Sequence, residues 1–185
     1  MRYGKMARAR AVGLAPRAEA IAGTAPMPIQ ISVTEEVRAP LDRVFGAAAS
    51  IDPRDLIRKH GPLPGITDVE GHDAPWSAIG QTRRHILSDN SSVCEELISY
   101  TDDRTFGYRL TGFTGPFASL VREARADWHF TQASARRTRI DWTYVFMPAG
   151  PLAEPVLWFI VKLFWPGYLK AALMRVRDKA EAGTP

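Results

Sequence analysis

Arg83-Arg84-His85 and Glu95-Glu96 flank a short stretch that contains Asp89-Asn90. That stretch is a turn signal between two runs that read as strands. A hairpin there sets guanidinium groups against carboxylates across the ladder. A two-residue loop opposes Arg84 to Glu95 and Arg83 to Glu96, whereas a one-residue bulge pairs Arg83 with Glu95. Arg83 and Glu95 are the preferred pair, because apolar Ile79 and Leu97 share their parity. Inside a cavity such a pair orients a ligand carbonyl or hydroxyl. On the surface it is a solvated ion pair of little worth.

His85 shares the parity of Arg83, and its imidazole could move a proton near neutral pH. His129 has the opposite parity to Trp128 and Phe130, which points it to water. His60 and His72 have no partner in the sequence. The candidates for an acid–base role are therefore Glu95, His85 and Tyr144. Cys94 reads as a small buried filler, and the neighbouring Glu95 and Glu96 disfavour its thiolate. No Cys/His cluster has metal spacing, so neither a metal nor a cofactor is expected.

These residues need strands to carry them. Ile29 to Val37 alternates as a strand with one wet face. Ala39-Pro40-Leu41 starts a helix, with Pro40 at or near its first position, and Asp52-Pro53 caps a second, shorter one. Strands follow over 66–70, 76–87, 92–100, 105–111, 121–131 and 139–147. In the last two, Ala124, Ala126, Trp128 and Phe130, then Ile140, Trp142, Tyr144 and Phe146, fall on one face each. Gly112-Phe-Thr-Gly-Pro-Phe117 is a connection that could form the mouth of a cavity.

From Pro151 the chain reads as one long helix, bent at Pro166-Gly167. Leu157, Ile160, Val161, Phe164 and Tyr168 form its buried stripe. Val156, Trp158, Phe159, Leu163 and Trp165 make the remaining faces apolar as well. Such a helix is either covered on all sides or touches something apolar. It is too interrupted to span a bilayer, which takes about 20 apolar residues.

At 185 residues with 45% apolar and 24% charged content, one globular domain is expected. The net charge of +4 resides in Arg2, Lys5, Arg8, Arg10 and Arg17, opposed only by Glu19. The remainder is close to neutral, which argues against nucleic acid. Residues 1–27 read as a disordered basic tail, or as an upstream start with Met27 as an alternative initiator, and 28–182 as a single ligand-binding domain. The single cysteine and the lack of a signal-peptide core make the cytoplasm the expected location.

The element order is thus strand, two short helices, six antiparallel strands and one long helix, an α+β pattern. Several strings fit that order in a known family. They are Val37-Arg-Ala-Pro-Leu-Asp-Arg-Val-Phe45, Pro64-Gly-Ile-Thr-Asp-Val-Glu-Gly71, Ile79-Gly-Gln-Thr-Arg-Arg-His85, Glu95-Glu-Leu-Ile-Ser-Tyr100, Arg104-Thr-Phe-Gly-Tyr-Arg-Leu110, Trp128-His-Phe-Thr131 and Thr138-Arg-Ile-Asp-Trp-Thr-Tyr144. Over residues 29–180 the chain resembles the START-related helix-grip superfamily, the polyketide cyclase/dehydrase and lipid transport group. The resemblance implies a curved antiparallel sheet wrapped around the C-terminal helix, with a deep cavity between them for hydrophobic small molecules. Members include carriers, sensors and cyclases, so it implies no single activity.

The expected cavity lining is Arg83, Glu95, Phe106, Tyr108, Trp128, Trp142, Tyr144, Phe146, Leu157, Ile160, Val161 and Phe164. The leading functional expectation is binding or carriage of a lipid, isoprenoid or aromatic polyketide-like molecule. An alternative is a cyclase or dehydratase that uses the same cavity. Another is peripheral docking to a membrane or partner through the apolar start of the helix. Oligomeric state is left open.

Overall fold

The computed structural model describes residues 26–71 and 75–182. The basic segment expected over 1–27 falls almost wholly outside the described residues, as does His72.

Strand β1 (Ile29–Val37) buries Ile29, Val33 and Val37 and turns Gln30, Ser32, Thr34 and Glu36 outward. It is followed by α1 (Leu41–Ala49) and α2 (Pro53–Leu56). Pro40 is the residue that caps α1, one position before the helix proper. Asp52 caps α2 by accepting a hydrogen bond from the Arg54 amide at 2.8 Å. Six further strands follow: β2 (Ile66–Glu70), β3 (Thr82–Leu87), β4 (Ser92–Thr101), β5 (Thr105–Thr111), β6 (Val121–Ser134) and β7 (Arg137–Pro148). They form one antiparallel sheet in the order β1-β7-β6-β5-β4-β3-β2. The long connection after β1 therefore carries the chain from one edge of the sheet to the other, and each later strand folds back beside its predecessor.

The third strand is shorter than its alternation predicts. Residues 75–81 form a loop, because Gly80 takes a left-handed φ of 89° and the Gln81 side chain caps the turn. Its Oε1 accepts hydrogen bonds from the Ser77 and Ala78 amides at 2.9 and 2.8 Å. Those amides consequently need no ladder partner. Ile79 lies exposed in this loop and does not share the face of Arg83.

The β3–β4 turn decides the register. Leu87 N–H donates to Ser91 O at 2.8 Å and Asn90 N–H to Leu87 O at 2.9 Å, with Asn90 at φ 64°. This is a three-residue loop with a left-handed third residue, the turn that closes a bulged hairpin. It pairs Arg83 with Glu95 and Arg84 with Cys94. Cys94 is thereby on the outer face and exposed, not a buried filler.

The C-terminal rod is two helices, α3 (Ala153–Leu163) and α4 (Trp165–Glu181), bent by 43° at Phe164. Pro166 lies in the first turn of α4, where its missing N–H costs nothing, whereas continuing α3 through it would clash with the Lys162 carbonyl. The bend therefore falls just before the proline. Among the described residues no single helix is long and apolar enough to cross a membrane. Helix α4 packs along β1 and α1 and buries Leu169, Leu173 and Val176 completely. Each such side chain contributes on the order of 2 kcal/mol of transfer free energy. Together with Val37, Val44, Ile140, Leu157 and Val161 they make a solid core under one half of the sheet.

Candidate functional site

The other half of the sheet is not filled. Across β5, β6 and β7, Tyr108 pairs with Ala126 and Ala126 with Tyr144. In the next row Leu110 pairs with Ala124 and Ala124 with Phe146. The alanine methyls leave room above the middle strand, and the two tyrosines reach over Ala126 until their hydroxyls meet at 2.8 Å. One row on, Trp128 stands opposite Trp142 with ring centroids 4.1 Å apart, and Phe106 stacks on Trp128 at 5.2 Å. Large rings beside small residues thus leave a cavity of about 120 Å³.

The β3–β4 ladder places the charges at one end of this space. Arg83 donates to Glu95 through Nε (2.8 Å to Oε2) and Nη2 (3.2 Å to Oε1). His85 shares the face, with Nε2 2.8 Å from the same Oε2. The ring N–H is not aimed along that line, so the contact is close and electrostatic without being a well-directed hydrogen bond. The Trp76 ring, carried by the 75–81 loop, covers the Arg83 guanidinium at 4.1 Å from its centroid. Glu95 is only 2% exposed. Burial alone would raise its pKa, but the adjacent His85 and Arg83 more than offset that and bring it down to about 2. The carboxylate is therefore a fixed anion at neutral pH. Burial pushes both tyrosine hydroxyls well above their ordinary range, and the neighbouring Glu95 charge adds to the effect. They are neutral donors.

Of the residues expected to line the cavity, Arg83, Glu95, Phe106, Tyr108, Trp128, Tyr144 and Phe146 do so, and His85 joins them. Trp142 lies behind Trp128 as its stacking support. Leu157, Ile160, Val161 and Phe164 are away from the cavity wall. Leu157 and Val161 are fully buried in the solid half of the core, where α3 packs against β1 and β7. Sequence reasoning missed Trp76, Trp165 and Tyr168 and reached Phe113 and Phe117 only as members of a mouth loop; these five close the cavity from the loops and from the first turn of α4. Their signal was an aromatic residue beside Gly or Pro, as in Pro75-Trp76, Gly112-Phe113, Pro116-Phe117 and Trp165-Pro166. The 112–117 connection does face the cavity, through Phe113, Thr114 and Phe117. His129 is exposed on the outer face, as its parity requires.

Several donors at the cavity have no protein acceptor. A hydroxyl pair holds two O–H groups and uses one for its mutual bond. The indole N–H groups of Trp76 and Trp165 are buried and unpartnered. Among the described residues no group of three or more His, Cys, Asp or Glu side chains could hold a metal ion. The arrangement can enclose an apolar body, donate hydrogen bonds to it, and present a fixed ion pair with an imidazole at one end.

An open antiparallel sheet wrapped against a C-terminal helix, with a lined cavity between them, defines a helix-grip ligand-binding protein. Within that class, the chain belongs to the polyketide cyclase/dehydrase and lipid transport family, which it matches over residues 28–181. Among solved structures it is similar to norcoclaurine synthase from Thalictrum flavum in complex with dopamine and hydroxybenzaldehyde. Identity there is 12% and TM-score 0.64, covering 100% of this chain and 99% of that one. Ara h 8.0201 is similar at 16% identity and TM-score 0.56, covering 84% and 97%. Protein MLL2253 from Mesorhizobium loti is similar at 11% identity and TM-score 0.58, covering 84% and 99%. No curated protein matches the chain in sequence. The family and the fold support binding of a hydrophobic small molecule in general.

Proposed function

We propose that this protein binds or carries a compact aromatic molecule bearing at least one acceptor oxygen, such as an aromatic polyketide-like ketone, rather than a long-chain lipid. The observation that carries this reading is the mismatch in the cavity between aromatic walls and surplus donors. Buried donors without acceptors are rare, and a guest oxygen would satisfy them. The volume of about 120 Å³ suits a single ring, since an apolar cavity of about 150 Å³ takes benzene. An isoprenoid or acyl chain would fill the space but leave the donors unsatisfied.

Titration with acetophenone, a one-ring ketone, tests the reading, with tryptophan quenching as readout. Saturable one-to-one binding is expected, weakened roughly tenfold in Tyr108→Phe/Tyr144→Phe, the loss of about one good hydrogen bond. Absence of saturation, or equal affinity for ethylbenzene, which lacks the acceptor oxygen, would remove the proposal.

A second reading, acid–base catalysis in the same cavity, draws on the contact between His85 and Glu95. A buried carboxylate that holds an imidazole beside a carbonyl-binding hydroxyl could move a proton at the adjacent carbon. Deuterium uptake by a bound ketone, lost in His85→Gln with binding intact, would distinguish an enzyme from a carrier.

A further inference from the structure

Helix α4 carries Arg175 and Lys179 one turn apart, on one face of the helix. Among the described residues neither pairs with a carboxylate. Arg175 donates through Nη1 to Leu56 O at 3.1 Å, and Lys179 Nζ donates to Ser50 Oγ at 3.0 Å. Leu56 is the last residue of α2, and Ser50 caps the end of α1. Neutral acceptors therefore fix where the two cations sit and leave their charge uncompensated.

Between α2 and α4 lies a cleft of about 280 Å³, lined by Ile51, Asp52, Asp55, Arg58, Arg175 and Lys179. Arg58 brings a third cation to it. Burial, and then the Arg58 charge, hold the Arg175 pKa below its ordinary value. The two carboxylates of the cleft are already matched. Asp52 accepts from Arg54 Nη2 at 2.6 Å and Nε at 3.0 Å, and Asp55 accepts from Arg58 Nη2 at 2.9 Å. With Arg54 set against Asp52 and Arg58 against Asp55, the charges of Arg175 and Lys179 are left over. Like charges held together in a partly buried cleft cost energy, and no group of the described chain offsets it there. A tetrahedral oxyanion of charge near −2 does so. Guanidinium forks suit its oxygens, and an ammonium adds a point charge.

We infer that the cleft between α2 and α4 binds a phosphate group, free or as a monoester, with Arg175 and Arg58 donating to its oxygens and Lys179 supplying the remaining charge. The site makes no use of the tyrosine pair or of Glu95. Ile51 is the wall it shares with the aromatic cavity.

Titration of the isotope-labelled full chain with sodium phosphate tests this, read by the arginine Nε–H signals in nuclear magnetic resonance against sodium chloride of equal ionic strength. Phosphate should shift the Arg175 and Arg58 signals saturably, and chloride should not. Arg175→Gln/Lys179→Gln should weaken binding at least about tenfold, whereas Lys170→Gln, on α4 outside the cleft, should stay within about twofold. Arg58→Gln and Lys179→Gln change exposed side chains and should each weaken it several-fold, which keeps the test open where the double variant unfolds. Asp55→Asn releases Arg58 and should tighten it. Glycerol phosphate distinguishes the sources: tighter binding than inorganic phosphate assigns the cleft to esters, and equal binding assigns it to the free ion. Equal responses to phosphate and chloride, binding unchanged in Lys179→Gln and Arg58→Gln, or weaker binding in Asp55→Asn overturns the inference. Acetophenone affinity should be unchanged in Lys179→Gln, so the cavity reading and this one stand or fall separately.

Discussion

Glu95 and Arg83 face each other across the β3–β4 ladder, joined by two hydrogen bonds of 2.8 and 3.2 Å under the ring of Trp76. Removing one member leaves the other buried without its counter-charge. Glu95→Ala should therefore destabilise the fold by about 3 kcal/mol. The double variant Arg83→Met/Glu95→Met should cost less than the two single changes summed. Urea unfolding of the three variants measures this coupling.

The same carboxylate predicts an acid limb. Its pKa lies at about 2 in the fold against an ordinary 4.5, so its ionised form stabilises the native state fully above about pH 4.5. That contribution is lost as pH falls towards 2, because the unfolded chain takes up the proton first. Stability should fall by at most about 1.4 kcal/mol per pH unit for this one group. Unfolding midpoints between pH 5 and 2.5 should decline more steeply in the wild type than in Glu95→Gln.

The two tyrosines act as a unit. Tyr108→Phe or Tyr144→Phe should each cost about 1 kcal/mol, by losing one hydrogen bond and leaving a buried hydroxyl alone. The double variant should cost no more than either single one. A thermodynamic cycle by chemical denaturation reads this directly.

Leu157 belongs to the solid core and not to the cavity wall. Leu157→Ala should lower stability by about 3 kcal/mol while leaving the affinity for acetophenone within twofold. Trp165→Leu should do the reverse, with a modest stability loss and a marked change in acetophenone affinity.

Cys94 gives a simple check on the register. Since it faces outward opposite Arg84, it should react with an aromatic disulfide reagent in the native state, one equivalent per chain. A β4 strand that turned its odd-numbered residues outward would bury it and require denaturant for reaction.

Much of this arrangement was legible in the sequence because strand parity is a strict rule. Ile29 to Val37, Ala124 to Phe130 and Ile140 to Phe146 bury alternate residues as their pattern requires. Parity also put Arg83 and His85 on one face, whereas their pairing with Glu95 depended on the length of the turn. Trp76, Ala78 and Gly80 mimic the same alternation, but a left-handed glycine and the Gln81 amide turn that stretch into a loop. The helix was harder. When every side is apolar, periodicity does not say which side meets the sheet, and α3 turned out to face the filled half and water. The cavity instead takes Trp165 and Tyr168 from beyond the bend, and rings from loops whose direction no periodic rule describes.

The loop over residues 88–90 has a consequence for how such a chain can change. Its length sets the inside and outside of a whole strand. Losing one residue there while the turn kept its three-residue form would advance β3 by one place against β4 and bring Arg84 opposite Glu95. Arg83, His85 and Leu87 would rotate out to water, while Thr82, Arg84 and Ile86 took their places. A single deletion, with no chemical substitution inside the cavity, would strip the imidazole from the pocket and keep the ion pair. Hairpin length is therefore a one-step genetic dial between a pocket with an imidazole and one without.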